Sequence, residues 1–307
     1  MQEFFAIFSQ IILPVFVLIG LGVVLQRKFK LDLDTLAKIN MYLFVPAVIF
    51  VKLYETEFAA NIFFQILFFF ILLILSLKLL SALISKLFKH SKSMRTAFSN
   101  SVLFYNSGNY GIPVNDLVFR GDAFAMSIQI IVLTFQNILT FSYGVVALQS
   151  VGGFQWKTIF NYFRTPLFIM IALGASLNYF NVSVPQFIMV PAGYLSDGMV
   201  AVALFTLGAQ VAFLKINSFN ATIAASLMTR LLLGPALAFA IILAFGLEGI
   251  LAQALLISSA MPTSVNSSII AQVYKNEPEY AAQVVWMSTL LSSLTVCLVI
   301  YFANWYF

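Results

Sequence analysis

Two stretches of this 307-residue chain combine polar side chains with backbone breakers in a way that could hold a small molecule. The first is Asn106-Ser107-Gly108-Asn109-Tyr110-Gly111-Ile112-Pro113-Val114-Asn115-Asp116. The second, Ser258-Ser259-Ala260-Met261-Pro262-Thr263-Ser264-Val265-Asn266-Ser267-Ser268, follows about 150 residues later, with Pro262 answering Pro113. Proline removes a backbone donor and crowds the preceding turn, so carbonyls one turn back lose their partners. Gly108 and Gly111 permit backbone angles closed to other residues and let a second helix come close. Asn106, Ser107, Asn109 and Asn115 in one stretch, and Thr263, Ser264, Asn266 and Ser267 in the other, can satisfy the freed groups or bind cargo. If the two breaks cross, half-helix N-termini offer donors to an anion. The C-terminal ends and the amide oxygens then offer ligands to a cation or to water.

The surroundings give these stretches their meaning. Hydrophobic residues make up 62% of the chain and charged ones 9%, against roughly a quarter charged in an ordinary globular protein. Runs long enough to span a bilayer, ~20 apolar residues each, fill nearly the whole sequence and leave no room for a soluble domain. Lipid tolerates irregular backbone only where it is buried in protein or lines a wet cavity. Paired breaks in corresponding halves point to the binding site of a secondary transporter.

Enzyme chemistry is poorly supplied. The chain has one His and one Cys, and its few acidic residues stand at no catalytic spacing. No glycine-rich Lys-Ser/Thr phosphate loop is present, which argues against ATP-driven pumping. His90 sits in a basic loop without partners for a metal. Cys297 is alone in an apolar run and reads as a buried thiol. The N-terminal apolar stretch lacks a basic leader and a small-residue cleavage site, so it reads as a retained span and not a signal peptide.

The elements that must position the two stretches are ten predicted spans. They cover about Phe5–Gln26, Leu36–Lys52, Ile62–Phe88, Met94–Phe119, Ala123–Leu148, Thr158–Phe180, Pro191–Leu214, Thr222–Phe245, Gly249–Val273 and Tyr280–Tyr306. The fourth and ninth hold the breaks. Arg120-Gly121-Asp122 and Gly152-Gly153 read as turns, and Pro14, Pro46, Pro166 and Pro235 as simple kinks. Arg27, Lys28, Lys30, Lys86, Lys89, Lys92, Arg95, Lys157, Lys215 and Lys275 follow odd-numbered spans, whereas even-numbered loops carry little beyond Lys52 and Arg120. The positive-inside tendency makes the odd loops cytoplasmic and places both termini outside a cell inner (cytoplasmic) membrane.

An internal repeat supports this organisation. Pro14-Val-Phe-Val-Leu-Ile-Gly-Leu-Gly22-Val-Val-Leu-Gln26 matches Pro166-Leu-Phe-Ile-Met-Ile-Ala-Leu-Gly174-Ala-Ser-Leu-Asn178 in register, at nearly the offset that separates Pro113 from Pro262. Five spans per half is an odd number, so residues 1–150 and 151–307 must insert with opposite orientation. Inverted repeats of this kind put a site near the midplane where the broken helices meet.

Asn106-Ser-Gly-Asn-Tyr-Gly-Ile-Pro113, Met261-Pro-Thr-Ser-Val-Asn266, Asn40-Met-Tyr-Leu-Phe-Val-Pro46-Ala and Arg230-Leu-Leu-Leu-Gly-Pro235 together resemble the auxin efflux carrier family. That family lies within the bile-acid/arsenite/riboflavin transporter superfamily, and its bacterial members are assigned as carriers of malonate or other organic anions. The resemblance spans the whole chain. It implies an all-α integral membrane fold of ten transmembrane helices in two inverted five-helix repeats, with helices 4 and 9 crossing. It further implies a scaffold of spans 1, 2, 6 and 7, elevator-like motion of spans 3–5 and 8–10, and a homodimer. The long central cytoplasmic loop of plant members is absent, so their regulation by phosphorylation does not transfer. Sodium binds near the crossover in the related bile-acid symporters; for this chain a coupling ion, Na+ or H+, stays open.

Several ionisable and amide residues lie deep in predicted spans. Arg230, near the middle of span eight, is a functional candidate because an unpaired intramembrane charge is expensive. Asp116 follows the first break and is expected to face the same cavity. A pair between them, released when a substrate carboxylate competes for the arginine, is one reading; a static pair, or an arginine bonded to freed carbonyls, is the other. Asp197 with Ser196 fits a helix N-cap, with a cation site as the alternative. Lys78 is expected to snorkel toward the cytoplasmic cluster. Gln136 and Asn137 are expected to bond neighbouring helices or touch substrate.

The sequence therefore predicts a secondary active carrier of small organic anions, with a passive anion channel or a sodium- or proton-coupled symporter of another substrate class as alternatives. The predicted binding residues are Asn106, Ser107, Gly108, Asn109, Gly111, Pro113, Asn115, Asp116, Met261, Pro262, Thr263, Ser264, Asn266 and Arg230, seconded by Asn40, Gln136, Asn137 and Asp197. Lipid and cargo are the expected partners. No cofactor, metal or nucleic acid is expected.

Overall fold

Proline placement shapes the long helices of this chain, whose computed structural model describes residues 2–56, 60–140, 143, 166–212 and 219–307. We number the helices α1 (Gln2–Phe29), α2 (Leu33–Glu55), α3 (Ala60–Leu87), α4 (Lys92–Leu103), α5 (Gly111–Phe119), α6 (Ala123–Leu139), α7 (Pro166–Tyr179), α8 (Gln186–Val211), α9 (Ala221–Phe245), α10 (Gly249–Ser259), α11 (Val265–Val273) and α12 (Pro278–Tyr306). Three of them contain a wide π-type turn, at Phe8–Ile12, Asn40–Phe44 and Thr229–Leu233. Each turn ends just short of Pro14, Pro46 or Pro235. In each, the amide immediately before the proline bonds to the carbonyl five residues back: Leu13 to Phe8, Val45 to Asn40, Gly234 to Thr229. A proline ring in mid-helix crowds the carbonyl four residues earlier, and the wider turn opens that space without ending the helix.

Six helices, α1, α2, α3, α8, α9 and α12, are long and apolar enough to cross a membrane. Helices α6, α7 and α10 are shorter and apolar. The protein is a multi-pass membrane protein, and its surface fits: on α3, Phe64, Phe68, Leu75, Leu79, Leu83 and Leu87 point outward at helical spacing, while Ile66, Phe69, Leu73, Leu77, Ser81 and Ser85 point inward. Large apolar groups outside and hydroxyls inside suit lipid as the solvent.

Spans four and nine are each two short helices joined by a non-helical link, residues 104–110 between α4 and α5 and residues 260–264 between α10 and α11. The first link begins and ends earlier than the polar run Asn106–Asp116 suggested. Pro113 lies in the first turn of α5, where its missing donor costs nothing. The turn Arg120-Gly121-Asp122 forms as expected, with Arg120 and Gly121 left-handed and the Asp122 carboxylate capping α6 through the Ala125 amide at 2.8 Å.

Helix α8 corrects the seventh predicted span. It begins at Gln186 behind Pro185 and runs through Pro191, so Asp197 lies in mid-helix and caps nothing. Other expectations fall outside the described residues: the end of the fifth span toward Leu148, Gly152-Gly153, Lys157, the Thr158 start of the sixth span, and Leu214-Lys215.

Two helix pairs meet backbone on backbone at glycines. Helix α1 packs along α8, where a methyl group on Gly22 would stand 2.1 Å from the Phe205 carbonyl oxygen and one on Gly208 2.0 Å from that of Ile19. Helix α7 packs along α2, where a methyl on Gly174 would stand 2.9 Å from the Phe50 carbonyl oxygen. Small residues are what let membrane helices approach this closely.

Candidate functional site

The two helix links touch each other and exchange backbone hydrogen bonds. Tyr105 and Thr263 form an isolated antiparallel bridge. The Asn106 amide donates to the Pro262 carbonyl at 2.8 Å, and the Ser264 amide donates to the Phe104 carbonyl at 2.8 Å. Each break thus supplies what the other lacks. This is how two interrupted backbones are tolerated away from water, where an unpaired peptide group costs several kcal/mol.

The remaining carbonyls at the end of α4 are also accounted for. Ser101 accepts from the Thr263 hydroxyl at 2.8 Å, Val102 from Arg230 Nη1 at 3.1 Å, and Leu103 from Gln136 Nε2 at 3.0 Å. At the end of α10, the Ser259 carbonyl accepts from Arg230 Nη2. On the other side of the first link, Gln129 of α6 acts as a brace. Its Nε2 donates to the Ser107 carbonyl at 2.7 Å and its Oε1 accepts from Asn115 Nδ2 at 2.9 Å. Gly111 makes room for this, since a methyl there would stand 2.4 Å from Gln129 Nε2.

Beside the crossing lies a cavity of about 170 Å³. Both breaks form its wall, through Tyr105, Asn106, Ser107, Gly108 and Asn109 of the first link on one side and Ser264 of the second link with Val265 and Asn266 of α11 on the other. Asn40 comes from the π-type turn of α2, Gln136 and Asn137 from α6, Thr140 from just beyond α6, Leu167 from α7 and Gln210 from α8. Asn40 Nδ2 donates to Asn109 Oδ1 at 2.8 Å, tying α2 to the first link. Four buried polar atoms on these side chains make no hydrogen bond to protein: Asn40 Oδ1, Asn106 Nδ2, Gln136 Oε1 and Gln210 Oε1. Because Gln136 already donates to a carbonyl, its free atom is an acceptor. No charged side chain is among the described residues of this wall.

A cavity lined by amides and apolar side chains, set against two broken helices and holding no charged group among its described residues, suits solute passage better than bond chemistry. The sequence matches the family described as membrane transport protein over residues 7–300. The chain belongs to this family, that of the auxin efflux carriers. An uncharacterized transporter of Methanocaldococcus jannaschii is 27% identical over 132 residues, 42% of this chain and 41% of that protein. Auxin efflux carrier component 2 of Oryza sativa subsp. japonica is 31% identical over 114 residues, 36% of this chain and 18% of that protein. The matches thus span under half the length of either relative. The family is one of membrane transport proteins, and both relatives are transporters by name, not enzymes.

The transporter brings only part of the predicted residue set to the cavity. Asn106, Ser107, Gly108, Asn109, Ser264 and Asn266 line it, as do Asn40, Gln136 and Asn137. Gly111, Pro113, Asn115, Met261, Pro262 and Thr263 stand behind the wall and hold it. Thr263 is turned away, its amide meeting Ser288 Oγ at 3.1 Å. Of the two readings left open for Arg230, the pair with Asp116 does not form. Arg230 is fully buried; its Nη1 and Nη2 donate to the Val102 and Ser259 carbonyls, its Nε makes no hydrogen bond, and its guanidinium carbon stands 4.7 Å from the centre of the Tyr105 ring. Asp116 is on the far half-helix, in the field of Lys52 and Asp197. The arginine bonded to freed carbonyls is the reading that holds. Lys78 does not snorkel either; it turns inward to Ser99 Oγ at 2.9 Å and to the Tyr143 hydroxyl.

Sequence reasoning missed Tyr105, Thr140 and Gln210. The available signal for Gln210 was a lone amide near the end of an apolar run, the same signal that marked Gln136.

Proposed function

We propose that this transporter is a secondary active carrier of small organic anions, mono- or dicarboxylates, whose cargo sits in the cavity beside the paired links. The observation that carries this reading is that one cavity is walled by both breaks at once and also by α2, α7 and α8. Cargo there touches every group of helices that an alternating-access motion would displace. A carboxylate finds donors in Asn106 Nδ2 and at the N-terminus of α11, where Ser264, Val265 and Asn266 reach the cavity; helix N-termini favour anions. The free amide oxygens of Gln136 and Gln210 suit a hydroxyl or a protonated carboxyl on the same cargo.

The architecture that goes with this reading is two inverted repeats, residues 1–150 and 151–307, with a scaffold of spans 1, 2, 6 and 7 and a moving core of spans 3–5 and 8–10. Its support is the pairing of α1 with α8 and of α7 with α2. The glycines aligned by the internal repeat, Gly22 and Gly174, each rest on a backbone carbonyl of the opposite half. Basic residues Arg27, Lys28, Lys30, Lys86, Lys89, Lys92 and Arg95 on one set of loops support a cytoplasmic-membrane protein with both termini outside. A homodimer completes the reading.

Counterflow in proteoliposomes with a panel of carboxylates, with and without a sodium or pH gradient, tests it. Saturable exchange with at least one is expected. No exchange with any overturns the substrate class, and flux that never saturates favours a channel.

A further inference from the structure

Among the described residues Arg230 is the largest fully buried side chain, and it carries a positive charge with no described acidic partner beside it. An intramembrane charge needs a compensating field, and two helix ends supply one. Helix α4 stops at Leu103 and α10 at Ser259. Each C-terminus carries roughly half a negative elementary charge, so the two together match one guanidinium. The match is also geometric. Nη1 donates to Val102 of α4 at 3.1 Å, and Nη2 donates to Ser259 of α10. The planar fork of arginine reaches two acceptors on two different helices, which a lysine point charge does less well. The guanidinium face lies over the Tyr105 ring, and Tyr105 is a wall residue of the cavity. The local sequence makes space for this arrangement: a methyl group on Gly234 would stand 3.0 Å from Nη2.

We propose that Arg230 is the resident counter-cation of the two half-helix C-termini, a positioning residue that locks the breaks together, holds Tyr105 in the cavity wall and leaves no place for an alkali cation between the two helix ends. The carbonyls that would coordinate a loose ion already bond the guanidinium, and a second positive charge within a few ångströms in low dielectric is strongly disfavoured. Only the role of Tyr105 in cargo binding rests on the carrier reading above; the occupancy of the junction does not.

Thermal unfolding of the purified protein tests the occupancy without any transport measurement. Arg230→Ala empties a guanidinium-sized space lined by carbonyls. Its melting temperature is expected to fall by several degrees and to recover saturably with low-millimolar guanidinium chloride, but not with equal sodium chloride or tetramethylammonium chloride. The wild type is expected to ignore guanidinium at these concentrations and to show no saturable difference between sodium chloride and N-methylglucamine chloride. If Arg230→Ala does not accumulate, Arg230→Gln and Arg230→Lys carry the comparison: the glutamine variant responds to guanidinium and the lysine variant, which keeps the charge, does not. Equal response of the two, no guanidinium effect on the neutral variants, or a saturable sodium shift in the wild type would each overturn the proposal. Carboxylate counterflow failing in every variant, with guanidinium rescue intact, sinks the carrier reading alone.

Discussion

Asn106 gives its backbone amide to the Pro262 carbonyl across 2.8 Å, joining residues from opposite halves of the chain. The bond is one of a set in which side chains finish what the backbones cannot. The Thr263 hydroxyl, which donates to the Ser101 carbonyl at 2.8 Å, is the member easiest to remove without changing shape. Thr263→Val leaves that buried carbonyl bare, at a cost of about 1–3 kcal/mol. A lowered melting temperature in detergent is the expected result, and an unchanged one would mean that the crossing does not depend on this bond.

Gln136 and Gln210 both line the cavity and each has a buried amide oxygen without a hydrogen bond, but only Gln136 also holds the Leu103 carbonyl. Gln210→Leu is therefore expected to raise the KM of carboxylate exchange with little change in melting temperature. Gln136→Leu is expected to impair both. Measuring the two quantities on both variants separates binding from support; a large loss of stability in Gln210→Leu would contradict the assignment.

The α1–α8 contact leaves no room at Gly208, where an added methyl meets the Ile19 carbonyl, whereas Gly20 has nothing within 4 Å of the same position. Gly208→Ala should lower stability by 1–3 kcal/mol or more, in the range of overpacked cores (about 1–3 kcal/mol). Gly20→Ala should be neutral or slightly favourable, because alanine is the better helix former. Thermal unfolding of the two variants side by side checks the contrast.

His90, in the turn between α3 and α4, is placed to make stability depend on pH. Its ring nitrogens lie 3.3 Å from Ser85 Oγ and 3.2 Å from Thr222 Oγ1, and burial, with Arg95 adding to it, holds its pKa below the ordinary 6.5. The folded protein thus resists protonation that the unfolded chain accepts. Its full contribution is present above pH 6.5 and is lost as pH falls through the lowered folded value. Melting temperature should drop on acidification across that window, and His90→Gln should flatten the drop. An identical acid limb in the variant would remove His90 as its source.

What the sequence could say about this site follows from how local each cause is. Pro113 and Pro262 marked the breaks because proline chemistry acts within one turn. The limits of the first link were misplaced because Pro113 is a helix-starting residue, so the chain is already helical at Gly111. Rotations and starts of helices are set by packing, and there the reading failed. Arg230 and Asp116 are at similar depth in sequence but face different neighbours, and Asp197 changed meaning once α8 began at Gln186. Lys78 turned inward because Ser99 and Tyr143, distant in sequence, stand beside it. Gln136 and Asn137 are legible as amides inside an apolar run and Asn40 through the family resemblance, and Gln210 is legible by the first of these signals.

The described wall of the cavity contains amides, hydroxyls and helix ends but no formal charge. Dipoles grip through several modest bonds, each of which water can replace at small net cost. On the carrier reading, cargo held this way leaves again without a fixed charge having to be pulled from its partner, which is expected to keep its stay short.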